Sequence, residues 1–197
     1  FTLPLLVAVV FAARRKNVTY ARLGLLWAVG YMALGQWQRN EAMDMGYALA
    51  AAREHTPQRL AAKPSFANIL VWKIVYETGD RYHVDAVRAT LAPRVFEGVA
   101  VQKLDVDRDM PWLEKSSQQA TDIERFRWFS NGYIARDPVD QNRVIDIRYS
   151  MVPNEVSPLW SIELQPDAPA GQHASFLNHP TRDAGATQRL WHMLSGR

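Results

Sequence analysis

Few residues of this chain could do chemistry, and none of them is a cysteine in 197 residues. That absence excludes a disulfide scaffold, a thiol nucleophile, a zinc finger and any cysteine-ligated cluster. Five histidines remain: His55, His83, His173, His179 and His192. His83 and Asp85 stand two apart, the strand spacing that puts an imidazole and a carboxylate on one face, where they could share a metal or a polar ligand. A single His-x-Asp also arises by chance, so a structural or solvated role stands beside that reading. His173 and His179 lie in a Pro/Gly-rich loop with Asn178 and could form a weak metal site, whereas His192, beside Trp191, suits a helix-end cation.

Asp105, Asp107 and Asp109 have the alternate acidic spacing of a calcium loop. Such a loop wants Gly at its sixth position and Glu at its twelfth, and here those are Met110 and Ser116. A solvated turn before a helix starting at Pro111 fits better, with Asp109 as the cap of that helix. Asp146 and Arg148, again two apart, either bind a polar ligand or form an ion pair that fixes sheet register. Trp72, Trp128 and Trp160 suit a core, and less readily a ligand platform. No Gly-rich phosphate loop and no G-x-S-x-G elbow occurs, and Ser116-Ser117 has no base near it in sequence.

The elements that must position these residues divide by composition. The chain is 48% hydrophobic with a net charge of +3, and its basic excess lies in the first 62 residues. Residues 63–197 carry sixteen Lys/Arg against seventeen Asp/Glu, which excludes the basic body expected of a nucleic-acid binder. Phe1 to Ala13 is apolar and ends at Arg14-Arg15-Lys16. At 1.5 Å per residue it reaches only about 20 Å, and a signal peptide would carry its charges before the apolar run. The reading is a fragment that starts inside a transmembrane helix. A second apolar run, Val18 to Trp37, has the length of a span, with Tyr20 and Trp37 placed as interfacial anchors. A buried core helix is the alternative. Residues 1–38 are thus expected to form a transmembrane hairpin whose basic loop faces the cytoplasm, placing the rest in the periplasm.

Residues 39–62 read as a helical stalk, broken at His55-Thr56-Pro57, and 63–197 as an extramembrane domain. There, strands are expected around Asn68–Thr78 and Arg81–Thr90, joined by Gly79-Asp80. A helix is expected over Pro111–Ser130, closed by Asn131-Gly132. A hairpin of Tyr133–Arg136 with Arg143–Tyr149 and a strand at Leu159–Leu164 follow, then a loop over Gln165–Pro180 and a helix over Ala184–Leu194. The fold class is α+β, with one antiparallel sheet of about five strands and one or two packing helices.

Together these blocks carry a resemblance. LVWKIVYETGDRYHVD, a helix ending RFRWFSNGY, a hairpin ending VIDIRYS, the upstream phrase HTPQRL and two apolar runs occur in order. The set resembles the C-terminal part of the inner-membrane metal-dependent hydrolase family, also described as LexA-binding inner-membrane-associated hydrolases, over nearly the whole chain. The resemblance implies a multi-pass inner-membrane protein whose divalent-metal site lies in its N-terminal part, upstream of Phe1. The H-R-G-x-T-H-S-like motif of that part is absent here, so no catalytic or metal residue carries over to this chain. Asp146 and Arg148, with Ile147 between, match the family's Asp-Leu-Arg-like stretch. Trp72, His83, Asp85, Asp146 and Arg148 are the candidate ligand or partner surface. The expected function is an accessory or protein-partner-binding role beside an upstream hydrolase site, anchored to the lipid bilayer, with no cofactor in this chain. A non-catalytic membrane-anchored binding module is the alternative.

Overall fold

The computed structural model describes residues 2–179 and 184–196. Phe1, where the first apolar run begins, and Pro180, where the last loop ends, lie outside the described residues. Two helices open the chain, α1 (Thr2–Arg15) and α2 (Val18–Ala52). They turn back on each other at Lys16, whose φ is 47°, and Asn17, whose side chain accepts from the Thr19 amide at 2.9 Å and so caps α2. The exterior of this hairpin is apolar and exposed, with Leu3, Leu6, Phe11, Leu25, Leu26, Trp27, Met32 and Trp37 all facing outward. Among the described residues no helix is long and apolar enough to cross a membrane. The expectation of two spanning helices is therefore corrected to a helical hairpin with an apolar exterior.

The 35 residues of α2 run without a break from the hairpin into the body. In its second half Gln38, Ala42, Gly46 and Ala50 recur every four residues and are buried, a stripe small enough to lie close on a sheet. The helix ends at Ala52, where the Arg53 amide reaches the carbonyl oxygens of Leu49 and Ala50. Beyond it the expected stalk is corrected, because Arg59–Pro64 is strand β1.

That strand opens a four-stranded antiparallel sheet with β2 (Val71–Thr78), β3 (Arg81–Arg88) and β4 (Arg94–Gln102), in the order β1-β2-β3-β4. A second antiparallel sheet holds β5 (Ile134–Arg136), β6 (Arg143–Asp146), β7 (Trp160–Glu163) and β8 (Ser175–Asn178) in sequence order. An isolated bridge, Lys103 to Ala135, joins the two. The class is α+β as expected, but with two sheets of four strands where one of about five was expected.

Three helices complete the body, α3 (Val106–Asp109), α4 (Gln118–Phe129) and α5 (Ala184–Ser195). Ser117 caps α4 by accepting from the Ala120 amide at 3.3 Å. The expected start at Pro111 and the capping role of Asp109 are corrected accordingly. Asp105 caps α3, and Arg108 engages Asp109 through two nitrogens, Nε at 2.8 Å and Nη2 at 2.8 Å. At the other end of α4 the Gly132 amide bonds the Arg127 carbonyl at 2.8 Å, as Asn131-Gly132 anticipated.

Strand alternation sorts the core into layers. Trp72, Ile74, Tyr76, Val87 and Ala89 face α2 together with Leu60 and Ala62. Val75, Tyr82 and Val84 face the second sheet at Tyr133, Ala135, Ile145 and Ile147, while Val71 and Ala86 meet Val152 and Met193 of α5. Ile123 and Phe126 of α4 cover the far side of the second sheet at Ile134, Val144 and Ile162. The stacking order is α2, first sheet, second sheet, α4.

Candidate functional site

Two residues past α2, the chain turns over the edge of the first sheet with Glu54 at a φ of 58°. The turn brings Arg53 and His55 onto the face that carries Tyr76, His83 and Asp85. Tyr76 and His83 are cross-strand partners in β2 and β3, as are Ile74 and Asp85, so all four share this face. Arg53 grips Asp85 with two nitrogens, at 2.8 and 3.0 Å, and donates to the Tyr76 hydroxyl at 3.3 Å. Asp85 is 1% exposed. Its hydrogen bond with Arg53 holds the guanidinium well above its ordinary pKa, against the opposing effect of burial.

Asp85 also shapes the sheet. The β3–β4 register shifts between Val84 and Ala86, leaving Glu97 and Gly98 opposite Asp85 as a bulge. The Gly98 amide donates to Asp85 Oδ1 at 2.9 Å. A Cβ on Gly98 would stand 2.1 Å from the Val84 carbonyl oxygen and 2.3 Å from that of Asn154. Only glycine fits there.

The histidines pack beside this grip. The His55 and His83 ring centroids are 4.4 Å apart, and Tyr76 stacks on His83 at 4.7 Å. His55 Nδ1 shares a 2.9 Å hydrogen bond with the Tyr76 hydroxyl, and His83 Nε2 a 2.8 Å one with Thr78 Oγ1. Burial, then the His55 and Arg53 charges, lower the His83 pKa below its usual value. The arrangement can take up a proton at the price of crowding cations. Each imidazole keeps its other ring nitrogen, and no group of three His, Asp or Glu residues that could hold a metal occurs among the described residues.

A second polar group lies on the opposite face of the first sheet. Lys73 is fully buried and donates to Ser150 Oγ and to the Glu155 carbonyl, both at 2.8 Å. Burial lowers its pKa to about 7, against the attraction of Asp146 and Glu155. A serine beside a near-neutral lysine is the composition of a nucleophile with its base. Ser150, however, is 8% exposed and donates its own proton to the Val152 carbonyl at 2.7 Å, so it is spent on structure. Nearby, Arg148 clamps the fully buried Asp146 through Nε at 3.0 Å and Nη2 at 2.7 Å and reaches the Phe129 carbonyl at 2.9 Å.

Of the five residues singled out in sequence, the structure brings His83 and Asp85 onto one face but gives them different partners. Trp72 is a core residue of the same face, donating to the Ile69 carbonyl at 2.9 Å under α2. Asp146 and Arg148 pair with each other beyond the other face, so the five form no single surface. His173 bonds Asp122 at 2.9 Å and His179 bonds Ser161 at 2.7 Å, which separates the loop histidines. Asp107 pairs with Lys115 at 2.8 Å. Sequence reading missed Arg53 and His55; the signal was the His-Thr-Pro break, which had to turn the end of α2 toward something. A groove of about 590 Å³ between α3 and α4 has an apolar floor that includes Leu104, Val106, Leu113 and Ile123, rimmed by Asp107, Lys115 and Arg127.

No protein-family model matches the chain, and comparison with curated proteins and with solved structures finds no match.

Proposed function

We propose that this chain is the membrane-attached C-terminal portion of an inner-membrane metal-dependent hydrolase, in which the α+β body has an accessory, partner-binding role. The observation that carries attachment is the hairpin exterior, where Leu3, Leu25, Leu26, Trp27, Met32 and Trp37 are exposed together on α1 and α2. A continuous apolar exterior of this kind marks a membrane or partner surface, and the bilayer satisfies it on all sides. The accessory role is supported by the polar groups of the body, which bond one another: Asp85 to Arg53, His83 to Thr78, Asp146 to Arg148 and Lys73 to Ser150. The resemblance supplies the hydrolase, and the divalent metal belongs with residues upstream of Phe1.

The test is metal content by elemental mass spectrometry, on the detergent-extracted protein that carries this chain at its C-terminus and on the chain alone. Stoichiometric metal in the longer protein only is the expected result. Metal in neither would leave the second reading, a membrane-anchored binding module, which the apolar groove between α3 and α4 favours. Metal-dependent hydrolysis by the chain alone, abolished by His83→Gln, would contradict both.

A further inference from the structure

The body has two ends, and they differ in how their cations are paired. At one end α2 leaves the first sheet toward the hairpin. There Gln38 donates to the Ala89 carbonyl at 3.3 Å, and the Ala89 amide bonds the Leu70 carbonyl at 2.9 Å. The β1–β2 loop and the β3–β4 loop therefore meet α2 at the point where the apolar hairpin begins. Both loops raise apolar side chains into solvent, with Phe66 68% and Leu91 100% exposed, and Trp37, the residue before Gln38 on α2, is exposed as well. Residues 63–76 and 86–96 contain no Asp or Glu. Arg39 is exposed on α2 and Lys63 half-buried on β1, and neither forms an ion pair with a carboxylate among the described residues. Burial, then the charges of Arg148 and Arg39, push the Lys63 pKa down, with only Asp146 opposing. The nearest acids along α2, Glu41 and Asp44, lie further into the body.

At the opposite end, around the Gly79-Asp80 turn, the cations are matched by acids: Arg59 and Lys103 hold Glu77 at 2.8 and 3.1 Å, Arg108 holds Asp109 and Lys115 holds Asp107. Exposed Phe and Leu at loop tips with unpaired Arg and Lys beside them are what a phospholipid interface receives, apolar tips at the acyl boundary and cations at the phosphates.

We propose that the hairpin end of the body, formed by the β1–β2 and β3–β4 loops with Arg39 and Lys63, is a second bilayer-contacting surface that recognises anionic phospholipid headgroups. The proposal rests on the hairpin being membrane-attached, and it adds that the body lies down on the same leaflet and does not stand off on α2.

The absence of cysteine allows a direct test on the whole chain. Single variants Leu91→Cys, Phe66→Cys, Leu26→Cys in the hairpin and Val139→Cys, which is 92% exposed in the turn between β5 and β6, each carry an environment-sensitive fluorophore. Each is titrated with phosphatidylcholine vesicles, with and without phosphatidylglycerol. The expected result is a blue shift at Leu26, Leu91 and Phe66 on the anionic vesicles and none at Val139. On neutral vesicles the two loop probes lose their shift while Leu26 keeps it. In the Leu91→Cys background, Arg39→Gln with Lys63→Gln should raise the lipid needed for half the shift by about 25-fold, at about fivefold per cation. A shift at Leu26 without one at Leu91 and Phe66 overturns the proposal and spares the hairpin reading. Equal loop shifts on both vesicle types overturn the headgroup recognition, and a shift at Val139 overturns the assignment to one end. No shift at any position overturns the hairpin reading together with this one.

Discussion

At the scale of single residues, the grip of Arg53 on Asp85 fastens the end of α2 to the sheet. Removing the guanidinium leaves a carboxylate that is 1% exposed without its counter-ion. Arg53→Ala should therefore lower unfolding free energy by about 2–3 kcal/mol in a urea titration, below the usual loss for a fully buried pair because Arg53 is partly exposed. The neighbouring imidazole gives a pH dependence whose sign is fixed. His83 titrates lower in the folded chain than unfolded, under burial, His55, Arg53 and Arg81, with Asp85 opposing. The unfolded chain therefore takes the proton first, so this contribution is whole above pH about 6.5 and is lost as pH falls below it. His83→Gln should flatten the slope of stability against pH in that window, and an unchanged slope would remove His83 as its source. Lys73 acts higher: with a folded pKa of about 7 against 10.5 unfolded, it makes stability rise with pH between those values. Lys73→Met should abolish that rise. The pairing of Asp146 with Arg148 was legible from their spacing, whereas the meeting of His55 with His83 was not, because it depends on a turn that brings together residues 28 apart in sequence.

At the scale of elements, the β3–β4 bulge connects the grip to the sheet. Gly98→Ala would drive a methyl group into two carbonyl oxygens, and backbone at both contacts cannot give way. A loss of at least about 2 kcal/mol is expected, with the Gly98 amide detached from Asp85 and more rapid exchange of its proton in NMR. The strands β2 and β3 could be read from alternation and a Gly-Asp turn, and they stand within two or three residues of the expected bounds. The misses have a common cause. Strand β4 is exposed along nearly its whole length and shows no apolar periodicity, and β8 sits in a loop rich in Pro, Gly and His. Strand β1, Arg59–Pro64, is built largely from good helix formers, so propensity pointed to a stalk, and pairing with β2 overrode it. The same omission of β4 and β8 turned two sheets into one.

At the scale of the whole molecule, one helix joins two surfaces of opposite character. The first half of α2 carries exposed Leu, Trp and Met, and the second half a stripe of small buried residues under which the first sheet lies. Close approach at Gly46, where an added Cβ would meet Ile74 and Leu60 at 3.0 and 3.1 Å, makes that second half rigidly part of the body. Whatever holds the hairpin therefore sets the orientation of both sheets, the polar cluster at Arg53 and the groove beside α4. The central claim is that a bilayer holds it. Vesicle flotation of the intact chain tests this most directly, beside a variant with Leu26→Ser, Trp27→Ser, Leu34→Ser and Trp37→Gln, whose body is checked by far-ultraviolet circular dichroism. The account predicts that the chain rises with the lipid and that the variant stays in the dense fraction with its spectrum retained. An intact chain that stays behind with the variant would contradict it.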